Sequence, residues 1–199
     1  MRESLRLVVV LTLVCLIAAL ALAGVDRLTK EPRLEQKRLA RLRAIRAVLP
    51  PFDNDPLKDK KEIERITFYL GKKEGEIIGV AFSSKGEGYS GFITIMMGVN
   101  PEDNSITGIE ILEHMETPGL GANIEKGEFK NQFKEKSLAN SKLVDGKLAV
   151  KKNKGDIEAL TGATISSRGV TEAVDKGLKV FLKYKEEILG EKKPEVTDG

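Results

Sequence analysis

The stretch Ile63–Leu112, IERITFYLGKKEGEIIGVAFSSKGEGYSGFITIMMGVNPEDNSITGIEIL, reads as a run of β-strands. Within it, Ile63–Leu70, Glu76–Ser83, Phe92–Val99 and Ile106–Leu112 are rich in Ile, Phe, Val and Thr. Branched and aromatic side chains of this kind suit a pleated surface. Gly71–Gly75, Gly86–Gly91 and Asn100–Asn104 separate the runs as turns. Gly and Asn tolerate the backbone angles that tight reversals demand. Connections this short join antiparallel neighbours, because a parallel pair needs a crossover of about a dozen residues or more. The simplest sheet is an antiparallel meander.

Beyond the strands, Glu128–Phe133 reads as a short helix and Lys147–Lys151 as another strand. Ser167–Leu189 places Val170, Val174, Leu178, Phe181, Leu182 and Leu189 at helical spacing, with Ala173 and Gly177 as small positions. That is a long amphipathic helix with one core-facing stripe. The expected fold class is α+β: one domain over residues 58–190, an antiparallel sheet packed by helices. The polar tail 191–199 is expected to be disordered.

Upstream, Leu7–Ala23 is apolar, and no charge falls between Arg6 and Asp26. An uncharged run of about 18 or more residues can cross a bilayer as a helix. Ala21-Leu22-Ala23 looks like a signal-peptidase site. The run is nevertheless longer than the ~7–15 residues of a signal core, so residues 1–26 are read as a cytoplasmic tail and a retained anchor. Residues 27–57 are read as a basic linker helix and turn. Leu34, Leu39, Leu42, Ile45, Val48 and Leu49 make its apolar side, and Pro50-Pro51 ends it. This helix either packs on the domain or lies near lipid headgroups or a partner subunit.

Basic residues flank the apolar run unevenly. Arg2 and Arg6 precede it, whereas Arg27, Lys30, Arg33, Lys37, Arg38, Arg41 and Arg43 follow. A plain count would keep the large domain in the cytoplasm, but long domains translocate despite their charge. The net charge of +3 on 199 residues gives no reason to expect nucleic-acid binding. The single cysteine, Cys15, lies in the apolar run and excludes an internal disulfide. One histidine, His114, is too few for a His-rich metal site, and no metal is expected.

Two segments carry chemistry. His114-Met115-Glu116-Thr117-Pro118-Gly119-Leu120-Gly121 is a specified turn. It is either a tight connection or a wall whose missing Cβ atoms let a flat ligand approach. Thr161-Gly162-Ala163-Thr164-Ile165-Ser166-Ser167 holds four hydroxyls directly before the long helix. Ser166 or Ser167 is the expected N-cap. A group on Thr164 would then sit at a helix N-terminus, where free N–H groups and the dipole favour phosphate. The local chemistry alone is compatible with either a phosphate site or a bare cap.

TGATISS resembles the flavinylation motif of the FMN-binding domain family, with Thr161 where Ser or Asp is more usual. HMETPGLG resembles a second signature of that domain in the G subunits of Rnf electron-transport complexes. Gly88-Tyr89-Ser90-Gly91 and Phe129–Lys134 also resemble family text, in the family order. The resemblance implies an FMN joined by a phosphoester to Thr164, installed by a separate flavin transferase from FAD with Mg²⁺. Thr164 is then an acceptor, and no residue is expected to be catalytic by itself.

By similarity, Gly162, Ala163, Ile165, Ser166 and Ser167 belong to the cofactor site. Glu116, Thr117, Leu120, Gly121 and Tyr89 would lie near the flavin, Leu120 against the ring and Thr117 as a hydrogen-bond partner. The implied role is that of an electron carrier within a membrane-bound ferredoxin:NAD⁺ oxidoreductase coupled to ion translocation. Its partners would be iron–sulfur and flavin subunits and the membrane lipid, with the domain on the extracytoplasmic face of the inner membrane. The C subunit of a Na⁺-translocating NADH:quinone reductase is the neighbouring alternative. An anchored scaffold or sensor without flavin is the non-redox one.

Overall fold

The computed structural model describes residues 2–190, so the expected disordered tail lies outside the described residues. The chain divides into two units, Met1–Arg41 and Leu42–Gly199.

In the first unit, Leu5–Arg27 is long and apolar enough to cross a membrane, and none of it is buried. A core helix of a soluble protein buries one stripe. Here every side chain from Leu5 to Arg27 is exposed, an apolar surface that calls for lipid or another protein. The helix α1 is assigned over Arg2–Val48, with Pro32 inside it. The expected separate linker helix is therefore not a separate element. A proline forgoes one hydrogen bond without necessarily ending a helix. The helix ends just before Pro50-Pro51, as expected.

The second unit holds the sheet: β1 (Lys60–Ile63), β2 (Ile66–Lys73), β3 (Glu76–Glu87), β4 (Phe92–Val99) and β5 (Ile106–Glu113). They lie in the order β1-β2-β3-β4-β5, every pair antiparallel, as the short turns predict. Strand β1 was not foreseen. Its hairpin turn uses Glu64 and Arg65, both at positive φ (46° and 67°). Two-residue turns of that kind usually announce themselves by Asn-Gly or Asp-Gly, and neither residue pair is present here.

Alternate residues face opposite sides of the sheet. Phe68, Phe82, Ile93, Ile95 and Met97 face α3 (Thr164–Leu189) and form the main core. Phe82 stands between Phe68 at 5.1 Å and Phe181 at 6.4 Å, ring centre to ring centre. Tyr69, Ala81 and Met96 face the other way and meet Ala44, Ile45, Val48 and Leu49. Both faces are thus covered.

On α3, Val170, Val174, Leu178 and Phe181 are fully buried. Each contributes about 1.5–3 kcal/mol relative to leaving it exposed. Two expected stripe members fall off it. Leu182 is exposed and Leu189 only half-buried, whereas Ile188 is fully buried. At 100° per residue, position 188 lies seven residues from Phe181 and returns to the same face, while 182 and 189 do not.

Two shorter elements close the domain. The helix α2 (Gly127–Lys130) runs into a 3-10 turn at Asn131–Phe133, the short helix read from sequence. The strand expected at Lys147–Lys151 is only β7 (Lys147–Leu148), paired with β6 (Leu143–Val144). Val150 then bridges to Ile157, and Lys151–Asn153 turns as a 3-10 helix. Buried Asp175 accepts the Leu148 N–H at 2.9 Å, which pins β7 to α3.

Candidate functional site

Four loops converge at the start of α3. Strands β3 and β4 are joined through Gly88–Gly91, which presents Tyr89. The loop after β5 runs from His114 to Gly121. The third loop is Thr161–Ala163, and the fourth is the turn Lys151–Asn153. Between them lies a cavity of about 480 Å³, lined by Tyr89, Glu116, Thr117, Leu120, Gly121, Lys152 and Gly162–Ser166. Its size falls within the ~300–1,000 Å³ of small-molecule sites.

Local hydrogen bonds set each loop. The Ala163 N–H donates to the Leu160 carbonyl at 3.0 Å, and Gly162 sits at the third position with φ 76°. That is where a type II turn calls for glycine. His114 Nδ1 accepts the Glu116 N–H at 3.0 Å, so the ring proton is on Nε2, which stands 3.0 Å from Glu125 Oε1. His114 therefore shapes the loop and does not line the cavity. Leu120 and Ala122 both donate their N–H groups to the Thr117 carbonyl at 3.2 Å, rounding the bend toward Gly121.

Glu116 is the buried anchor of the site. Its Oε1 accepts the Ser90 N–H at 3.0 Å and its Oε2 accepts the Ser166 hydroxyl at 2.6 Å. One carboxylate thereby ties the β3–β4 turn, the loop after β5 and the start of α3. A Cβ on Gly88 or on Gly121 would collide with the carboxylate oxygens. Glu116→Ala is expected to cost about 1–3 kcal/mol, since it removes the acceptor that the Ser90 N–H and the Ser166 hydroxyl share. Urea unfolding of the apo-protein measures this, and Glu116→Gln, which keeps an acceptor, should recover most of the loss.

The expected N-cap is corrected. The helix begins at Thr164, with Ala163 as the cap residue and no side-chain cap bond. Ser166 is drawn instead to Glu116, a residue of the loop after β5. Ser167 Oγ accepts the Leu160 N–H at 3.0 Å and donates to the Ala163 carbonyl at 3.0 Å. Fully buried and doubly engaged, Ser167 does not line the cavity, although its motif neighbours do. Its hydroxyl instead holds the turn that positions Thr164.

Thr164 is left as the half-buried hydroxyl at the first helical residue, on the cavity wall. The first intrahelical bond is Ser167 N–H to Ala163 carbonyl. The N–H groups of Thr164, Ile165 and Ser166 precede it and have no intrahelical acceptor. Lys152 Nζ donates to Thr164 Oγ1 at 3.3 Å. Sequence reading missed this lysine. It sits in a basic run, Lys151-Lys152-Asn153-Lys154, with no motif around it. Tyr89, Leu120 and Ile165 also line the cavity as exposed, largely apolar side chains, 72%, 50% and 46% accessible. Apolar groups facing a cavity suit a flat, largely apolar ring.

The FMN-binding domain family matches residues 88–179, which span all four loops. The chain is 34% identical to the G subunit of the ion-translocating oxidoreductase complex of Stutzerimonas stutzeri, over 85% of this chain and 77% of that protein. It is 33% identical to the G subunit of the Na⁺-translocating ferredoxin:NAD⁺ oxidoreductase complex of Acetobacterium woodii, over 88% of this chain and 90% of that one. Among solved structures, the C subunit of the Na⁺-translocating NADH-quinone reductase of Parabacteroides distasonis is 27% identical with a TM-score of 0.50. The match covers 60% of this chain and 62% of that one, under two thirds of its length. Shewanella oneidensis NqrC shares the fold with a TM-score of 0.51 at 21% identity, over 74% of each chain.

Proposed function

The chain belongs to the family of G subunits of ion-translocating oxidoreductase complexes, and on that premise we propose that it carries electrons through an FMN joined by a phosphoester to Thr164. The complex is of the ferredoxin:NAD⁺ oxidoreductase class that couples electron flow to ion movement. The observation that carries the attachment is the hydroxyl of Thr164. It lies on the wall of a cavity of about 480 Å³, at a helix start, beside an ammonium group.

The residues present fit the group. The first N–H groups of α3 and Lys152 suit a phosphate. Gly162, without a Cβ atom, leaves the wall bare beside Leu120, while Gly121 makes room for the Glu116 carboxylate behind it. Tyr89, Leu120 and Ile165 offer apolar contact to a ring, with Thr117 and Glu116 as the polar groups beside them. Ser167 acts indirectly, and Glu116 also does so besides lining the cavity, by fixing the loops that carry these contacts. When bound, FMN supplies the electron chemistry, and the protein orients it and tunes its surroundings.

A tether has a further consequence. It keeps the cofactor at a high effective concentration where none can be supplied afresh, which favours an extracytoplasmic domain. Leu5–Arg27 then anchors a single-span protein in the inner membrane, with the domain outside. The basic residues after the span count against this orientation, but long domains translocate largely regardless of their charge. The partners are the other membrane, flavin and iron–sulfur subunits, with a flavin transferase needed for maturation.

The test is direct. The full chain is produced with its flavin transferase, denatured and run on a gel under ultraviolet light. A fluorescent band at the chain's own mass is expected. A dark band from properly co-produced protein would refute covalent flavin.

A further inference from the structure

We infer that Lys152 is the charge partner of Thr164: its ammonium prepares the hydroxyl to accept a flavin phosphate and then stays beside the phosphodiester that results. The inference rests on the reading that Thr164 carries FMN.

Three observations support it. Lys152 Nζ is hydrogen-bonded to Thr164 Oγ1 at 3.3 Å, so the cation touches the atom that must react. Among the described residues lining the cavity, Lys152 is the only cation. Its backbone is also fixed by structure outside the helix. Lys151 donates its N–H to the Ile157 carbonyl at 2.7 Å, and Asn153 donates to the Val150 carbonyl at 2.8 Å, while Val150 bridges to Ile157. The neighbouring Lys151 ammonium is turned to Glu158 at 2.9 Å. The turn thus separates two adjacent lysines, one toward an exposed carboxylate and one toward the Thr164 hydroxyl.

The arrangement also selects among hydroxyls. Ser166 donates to Glu116 and Ser167 to the Ala163 carbonyl. Of the three, Thr164 is the one in contact with the cation.

The chemistry balances without any oxidant. Thr164 Oγ1 attacks the phosphorus on the riboflavin side of the FAD pyrophosphate. An Oγ1–P bond forms, the bond from that phosphorus to the bridging oxygen breaks, AMP departs, and the hydroxyl proton leaves to the transferase or solvent. An ammonium against Oγ1 favours loss of that proton and offsets negative charge gathering at the phosphoryl group. The product is a phosphodiester with one negative charge, which the ammonium and the helix N-terminus both stabilise.

The experiment uses the purified full-length apo-protein with flavin transferase, FAD and Mg²⁺, and follows flavin fluorescence of the denatured band with time. Lys152→Met is expected to lower the maximal labelling rate about tenfold while the KM for the acceptor protein changes little. Lys152→Arg should restore most of the rate, because it returns the charge. The apo-protein melting temperature should be the same in all three, since the side chain is exposed. Wild-type labelling of Lys152→Met overturns the inference and leaves the FMN assignment standing. A loss that Lys152→Arg does not restore also overturns it, and marks a steric role. Failure of the wild-type chain to label overturns the FMN assignment and this inference together.

Discussion

Thr164→Ala is expected to remove all covalent flavin, leaving a dark band beside a fluorescent wild-type one. The argument is chemical. A phosphoester needs a hydroxyl oxygen, and the two serines that follow in the motif are held elsewhere. Ser166 donates to Glu116 at 2.6 Å, and Ser167 is fully buried between Leu160 and Ala163. Neither can replace Thr164 without dismantling the loop it supports. The substitution should be nearly silent in stability. Alanine is a good helix former, and Thr164 is half-buried with its one side-chain bond, from Lys152, at the surface. An apo-protein melting temperature close to wild type would therefore show that the lost fluorescence is chemistry and not unfolding. Thr164→Ser, which keeps the oxygen, should still be labelled. Fluorescence that survives Thr164→Ala would move the attachment to another residue.

The second large effect is structural. Gly86 on β3 faces the backbone of α3. A Cβ there would fall inside the carbonyl oxygen of Gly169 and lie 2.9 Å from the Ala173 nitrogen. The contact is reciprocal, since a Cβ on Gly169 would lie 2.5 Å from the Glu87 carbonyl oxygen. All these obstacles are backbone, so no rotamer change relieves them. Gly86→Ala should cost about 3 kcal/mol or more, the upper range for overpacking. Because Gly169 lies little more than one helical turn beyond Thr164, the same displacement should slow flavin attachment. Gly127→Ala is the control. Its Cβ would meet only Asn131 Nδ2 at 3.9 Å, and its effect should stay within about 0.5 kcal/mol. Urea unfolding of the two apo-proteins gives the comparison. Equal stability would mean that β3 and α3 are not in such close contact.

Much of this was legible along the chain because it depends on local period and local composition. Four strands, their antiparallel order, the short helix near Phe129 and the long amphipathic helix all follow from spacing. Where expectation and structure part for whole elements, local composition is a poor guide to backbone angle and facing. Strand β1 was hidden because Glu64 and Arg65 adopt turn angles that their side chains do not advertise. Leu182 and Leu189 are as apolar as Ile188, and the helical period, which returns Ile188 to the face of Phe181, separates them.

Taken alone, the sequence determined an apolar span, an antiparallel sheet packed by a long helix, and a hydroxyl-rich segment at that helix's start. Only the tertiary structure decided what Thr164, Ser166 and Ser167 each do. Ser166 and Ser167 obey the same capping rule, yet Glu116 from the loop after β5 takes one and the Leu160–Ala163 turn takes the other. It also brought Lys152, from the turn after β7, to Thr164. The physical reason is that local rules rank chemically similar groups alike. A partner brought from elsewhere in the chain by packing singles out one hydroxyl and turns the others into supports.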